Sequence, residues 1–111
     1  MTLNDIKEKL SLEVIAGEDG LSNEVSGCYI GDLLSWVLGK ANSGDVLVSV
    51  MGNSNAVAVC SMIDLAGLIL TENSPLDEDA RKKADAFSIP VLTTPLNHYQ
   101  FANAFSKIFN Q

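Results

Sequence analysis

Positive charge is scarce in this chain. Seven Lys and Arg residues stand against fourteen Asp and Glu, a net charge of −7. Binding to nucleic acid draws most of its affinity from neutralising phosphates, so no nucleic-acid partner is expected. The one basic cluster, Arg81-Lys82-Lys83, is flanked by Asp77, Glu78, Asp79 and Asp85 and reads as a solvated helix face. Cysteine is nearly absent. Cys28 and Cys60 stand apart, without CxxC or metal-ligand spacing. They are expected to be reduced, buried small hydrophobes, and neither a metal nor a cofactor is expected. No apolar run approaches the ~18 residues of a membrane span. The N-terminus carries no apolar signal region, so a cytoplasmic location is expected. With one histidine, no carboxylate pair and no Ser-His-Asp order, the sequence offers no catalytic set.

What is present is a core-forming pattern. Apolar residues make up 47% of 111 residues, enough for one folded domain. The stretch from Gly44 to Thr94 organises it. Residues 45–50, 67–71 and 90–94 are short runs rich in Val, Ile and Leu, the pattern of strands buried on both faces. The intervals between them are long enough for helical crossovers, so the strands are predicted to be parallel. Three polar loops then lie at the carboxyl end of the sheet, where open parallel sheets bind ligands: Gly52-Asn53-Ser54-Asn55, Glu72-Asn73-Ser74 and Pro95-Leu96-Asn97.

The flanking segments add further elements. Thr2-Leu3-Asn4-Asp5 resembles a capping box and opens a helix over 3–10. Residues 12–16 and 24–29 read as short strands, which could pair as an edge hairpin. Gly31-Asp32 opens a helix over 31–39, with Asp32 as its cap. That helix is apolar nearly all round, so a second buried side is expected. Leu33, Trp36 and Val37 are the candidate subunit interface; the plain alternative is that Trp36 covers the core. Residues 56–66 form a helix capped by Ser54 or Asn55 and stopped by Gly67. Helices follow over 77–87 and 97–109, the last with Phe101, Phe105, Ile108 and Phe109 as core.

The candidate ligand residues are Asn53, Ser54, Asn55, Thr71 and Thr94. The loop at 52–55 would aim helix N-terminal amides at the sheet end, a ready anion site. It contains no GxxxxGK[ST], so it is no kinase phosphate loop. Its plain reading is a turn and a cap. Thr71, Thr93 and Thr94 end strands beside it, where their hydroxyls meet a polar ligand or merely fit strand ends. His98 lies near the same end and reads as a solvated surface residue.

The run Val25-Ser26-Gly27-Cys28-Tyr29-Ile30-Gly31-Asp32-Leu33-Leu34-Ser35 resembles the signature of the DRTGG domain family. Gly31 to Ser35 is its most specific part. Residues 44–50, 55–59, 66–71 and 89–94 agree, so the resemblance runs from the first helix to Phe101. It implies a regulatory or assembly domain, commonly dimeric. Such domains resemble the N-terminal domain of HPr kinase/phosphorylase and sit between paired CBS domains in regulated pyrophosphatases. Small stand-alone copies accompany iron-only hydrogenase in anaerobic bacteria. Two departures stand out. Thr71-Glu72-Asn73 replaces the family's usual Thr-Gly-Gly, and Glu72 adds a charge that disfavours phosphate. Asn53 stands where the family often has His, two before Asn55.

The sequence therefore predicts a single α/β domain: a small, mainly parallel sheet of about five strands with helices on both faces, forming a homodimer. The leading functional expectation is a non-catalytic regulatory module that binds an adenine nucleotide and acts on a partner enzyme. The alternative is a protein–protein accessory of a redox system, without a small ligand.

Overall fold

The computed structural model describes residues 1–109. Ten regular elements and one short 3-10 turn follow one another: α1 (Leu3–Leu10), β1 (Glu13–Ala16), β2 (Gly27–Ile30), α2 (Leu34–Lys40), β3 (Asp45–Ser49), α3 (Ser54–Met62), β4 (Gly67–Leu70), α4 (Glu78–Phe87), β5 (Val91–Thr93) and α5 (His98–Phe109), with the turn at Glu18–Gly20. The five strands form one sheet in the order β1-β5-β4-β3-β2. β2 through β5 run parallel and stand side by side in sequence order. β1 joins antiparallel at the outer edge of β5, with an irregularity between Val14 and Ala16.

Alternation along the strands sorts the core into two layers. Leu47, Leu68, Leu70 and Val91 face one side, where Val37, Val57, Cys60 and Ala84 from α2, α3 and α4 cover them. Val46, Val48, Ile69 and Leu92 face the other, under Leu3 and Ile6 of α1 and Phe101 and Phe105 of α5. Both faces are closed, which explains why β3 and β4 read as unbroken apolar runs rather than alternating ones.

Three sequence expectations fail here. The early strands do not form a hairpin: β1 and β2 lie at opposite edges of the sheet. The turn at 18–20 and the bridge between Thr2 and Glu24 carry the chain from one edge to the other. Helix α3 begins at Ser54 and ends at Met62, short of Gly67. Asp64, at φ 54, turns the chain before β4, so the stop signal is a left-handed non-glycine residue. The N-cap of α3 is Asn53, whose side chain accepts from the Ala56 amide at 2.9 Å, rather than Ser54 or Asn55. The capping box of α1 is present in both directions: Thr2 Oγ1 accepts from the Asp5 amide, and the Asp5 carboxylate accepts from the Thr2 amide.

Candidate functional site

The carboxyl ends of β3, β4 and β5 bring three loops together. After β4 the chain leaves toward the face that carries α4; after β5 it leaves toward the opposite face, which carries α5. Divergence of adjacent loops to opposite faces opens a crevice in parallel sheets. Here two backbone bonds close it. The Glu72 amide donates to the Leu96 carbonyl at 2.9 Å and the Asn73 amide to the Thr94 carbonyl at 3.0 Å. Both donors sit in left-handed backbone, Glu72 at φ 57 and Asn73 at φ 52. That conformation favours glycine, which accounts for the Thr-Gly-Gly that the family carries there. The first loop packs against the second: the Asp77 amide donates to the Gly52 carbonyl at 2.8 Å, and a Cβ on Gly52 would lie 1.9 Å from the Pro75 carbonyl oxygen.

A polar chain crosses this end of the sheet. Asp32, just after β2, accepts from Ser49 Oγ at 2.7 Å and from the Val50 amide at 2.8 Å. Its second oxygen meets His98 Nε2 at 3.1 Å, and His98 Nδ1 meets Thr71 Oγ1 at 2.9 Å. Burial favours the neutral acid at Asp32. The bonds from the Val50 amide, Ser49 and then His98 outweigh it and hold the carboxyl below its ordinary range. An ionised carboxylate only accepts, so Nε2–H donates to Asp32, and in the tautomer that carries its proton on Nε2 alone Nδ1 accepts from the Thr71 hydroxyl. Carboxylate, imidazole and hydroxyl in that order make up a base-activated nucleophile. Thr71, however, is fully buried, so its hydroxyl meets no substrate. The network instead ties the β2–α2 loop, β3, the end of β4 and the start of α5 to one another.

Asp32 is thus no cap. Its carboxylate is engaged across the sheet, α2 starts only at Leu34, and the N-cap Leu33 supplies no side-chain bond. Nor is His98 merely a solvated surface residue: its side chain is 31% exposed and its ring is bonded on both nitrogens. Sequence alone could not pair residues 66 positions apart.

The other predicted residues divide by accessibility. Thr71 and Thr94 are buried, and Thr94 Oγ1 accepts from the Leu96 amide at 3.3 Å. Asn53 is occupied as a cap, Ser54 is half-buried, and Asn55 is exposed at the start of α3. Of the predicted interface residues, Leu33 and Trp36 are exposed at 60% and 58%. Val37 is fully buried against the core, because it lies on the α2 stripe that meets the sheet, and so cannot line a surface. The Lys40 ammonium lies 5.0 Å from the Trp36 ring centroid.

A cleft of about 540 Å³ lies at the other end of the sheet, beside Ser43, Asp64, Ala66 and Phe87 at the amino ends of β3 and β4. Cys60 borders it and is fully buried; Cys28 is half-buried on β2. Burial pushes both thiols up to about 12, helped at Cys28 by the charge of Asp45. Both are therefore protonated and weakly nucleophilic. Among the described residues no three His, Cys, Asp or Glu side chains gather as metal ligands, and no helix is long and apolar enough to cross a membrane.

Residues 5–108 match the DRTGG domain family. The chain belongs to that family. The match covers nearly the whole length of the sequence. Among solved structures, the chain is similar to the CBS and DRTGG domains of the regulatory region of Clostridium perfringens pyrophosphatase, complexed with its activator, diadenosine tetraphosphate. The TM-score is 0.71 at 17% identity, covering 93% of this chain and 45% of that one. The likeness establishes the fold; this chain spans less than half of the structure it resembles. No curated protein matches the sequence.

Proposed function

We propose that this DRTGG domain is a non-catalytic regulatory module that senses an adenine nucleotide at the carboxyl end of its sheet and passes the signal to a partner enzyme. One observation carries the reading: the fold is similar to part of a regulatory region that is complexed with a dinucleoside polyphosphate activator. The site supports it in part. Ser54 is half-buried and Asn55 exposed at the start of α3, and Asp32 and His98 are partly exposed at the same end of the sheet. The buried Thr71 and Thr94 would position neighbouring groups rather than touch the ligand. A second copy of the chain, docking through Leu33 and Trp36, would give the signal a surface on which to act.

A protein–protein accessory role is favoured by a different observation. Leu33 at the N-cap of α2 and Trp36 and Leu38 on it are all at least 40% exposed, while the hydroxyls at the sheet end are already bonded. Tryptophan is enriched at interface centres. That the partner is a redox enzyme follows from the family resemblance alone.

Melting curves in AMP, ATP and diadenosine tetraphosphate, with and without magnesium, separate the two. A ligand at about 100 times its Kd stabilises by about 2.7 kcal/mol, on the order of 10 °C for a domain of this size. The sensor reading expects such a shift for at least one nucleotide, reduced by Asn55→Ala. An unchanged melting temperature with all of them favours the accessory role.

A further inference from the structure

Three donors converge on Asp32 from two other elements: Ser49 Oγ and the Val50 amide at the end of β3, and His98 Nε2 at the start of α5. A hydroxyl, a backbone N–H and an imidazole are the groups that hold a phosphate or carboxylate oxygen in anion sites. Here the anion is the chain's own carboxylate, brought in by the loop between β2 and α2. The donors are fixed without it. Ser49 is fully buried, its carbonyl accepts from the Thr71 amide at 3.2 Å, and its hydroxyl accepts from the Met51 amide at 3.1 Å. His98 is held from behind by Thr71. The Asp32 side chain is 43% exposed and that of His98 31%, so the site is reached from solvent on the side of these two residues, with Ser49 behind them. Among the described residues no Lys or Arg pairs with Asp32.

The occupant also has another place to go. Helix α2 begins at Leu34 without a side-chain cap, and Asp32 stands two residues before it. Aspartate is a preferred N-cap. A released Asp32 can cap a helix that starts at Leu33, one residue earlier. The Trp36 amide now donates to the Leu33 carbonyl at 3.0 Å, so the turn that would rearrange carries the exposed Leu33 and Trp36.

We propose that Ser49, Val50 and His98 form an anion site that the chain's own Asp32 fills, and that a ligand phosphate displaces Asp32, shifting the first turn of α2 with Leu33 and Trp36. This rests on the reading that the carboxyl end of the sheet takes a nucleotide, and supplies its route from ligand to docking surface. Inorganic pyrophosphate and a nucleotide offer the same phosphate chemistry, whereas adenosine offers none.

The test titrates the chain with pyrophosphate, ATP and adenosine, following the Val50 amide and His98 ring by NMR and Trp36 by fluorescence. In the parent chain, pyrophosphate and ATP are expected to move all three signals and adenosine none. In Asp32→Ala, pyrophosphate should bind at least tenfold more tightly and leave the Trp36 emission unchanged. Asp32→Asn, which keeps an acceptor for Ser49 and Val50 but loses the charge, should gain affinity to a smaller extent and serves if the alanine variant does not fold. Equal pyrophosphate affinity in parent and variants, or no movement of Val50 and His98, overturns the proposal. ATP binding that bypasses Val50 and His98 overturns displacement while leaving nucleotide sensing intact. Tenfold tighter pyrophosphate binding in Asp32→Ala, with no preference of the parent for ATP over pyrophosphate, supports displacement and removes the adenine from the reading.

Discussion

Replacing Glu72 by glycine tests whether backbone geometry explains the Gly-Gly of this family's motif. Glu72 stands at φ 57, a region that costs an L-residue with a Cβ about 1–2 kcal/mol. Its side chain is exposed and appears in no ion pair or side-chain hydrogen bond among the described residues. The bond that matters, from its amide to the Leu96 carbonyl, survives any substitution except proline. Glycine removes the strain but enlarges the unfolded ensemble, which costs about 0.4–1 kcal/mol. The difference leaves Glu72→Gly more stable by about 0.5–1 kcal/mol. Unfolding entropy near the melting point is about 2.1 cal/mol/K per residue, or about 0.23 kcal/mol/K for 111 residues. The melting temperature should therefore rise by about 2–4 °C. Asn73→Gly should gain less, because asparagine tolerates the left-handed region. Glu72→Gln is the control for charge on an acidic chain. Thermal melts of the three variants decide it: a rise in Glu72→Gln equal to that in Glu72→Gly, or a fall in Glu72→Gly, refutes the backbone explanation.

Other outcomes follow from burial and charge. Val37→Ala should cost about 2–3 kcal/mol in urea unfolding, since it leaves a hole in a fully buried site, whereas Trp36→Ala should change stability by no more than about 0.5 kcal/mol; similar losses would contradict the division of α2 into a buried and an exposed stripe. The carboxyl of Asp32 is held below its ordinary range in the folded chain, so its contribution is present above the unfolded pKa of about 3.9 and is lost as pH falls through the lower folded value. The stability gap between the parent and Asp32→Asn should accordingly be open at pH 7 and shrink below about pH 4; a gap that widens in acid contradicts this. With both thiols pushed up to about 12, an aromatic disulfide reagent at pH 8 should label Cys60 only as fast as the chain opens; immediate labelling of the native chain would show Cys60 exposed. Gly52→Ala should destabilise, because its Cβ would overlap the Pro75 carbonyl; an unchanged melting temperature would mean that the two loops are not packed as described.

The parts of this structure that were legible in the sequence are those written in local pattern. The apolar runs of β3, β4 and β5 announced a parallel sheet buried on both faces, but being unbroken they did not say which residues face which layer. Thr2 and Asp5 announced the start of α1. What stayed hidden depends on distant neighbours. β1 and β2 are weak strands of four residues, and only the assembled sheet decides which edge each joins. Asp32 satisfies every local rule for a helix cap, yet Ser49, Val50 and His98 offer it three donors that no local window contains. Thr71 was legible as a polar strand end but not as a buried one, because its burial is set by the loops at 94–98 folding over it. Leu33, Trp36 and Val37 read alike as interface candidates on an all-apolar helix; the way α2 sits on the sheet separates them, with Trp36 turned outward and Val37 one residue later turned in.

A nucleotide titration followed by amide NMR tests the sensing account most directly. Diadenosine tetraphosphate or AMP, added to the parent chain, should perturb amides at Val50 to Asn55, Glu72 to Ser74 and Leu96 to His98, the three loops at the carboxyl end of the sheet. Perturbations confined to Ser43, Asp64 and Phe87 would place the ligand in the cleft at the opposite end, and a spectrum that no nucleotide alters would contradict nucleotide sensing altogether.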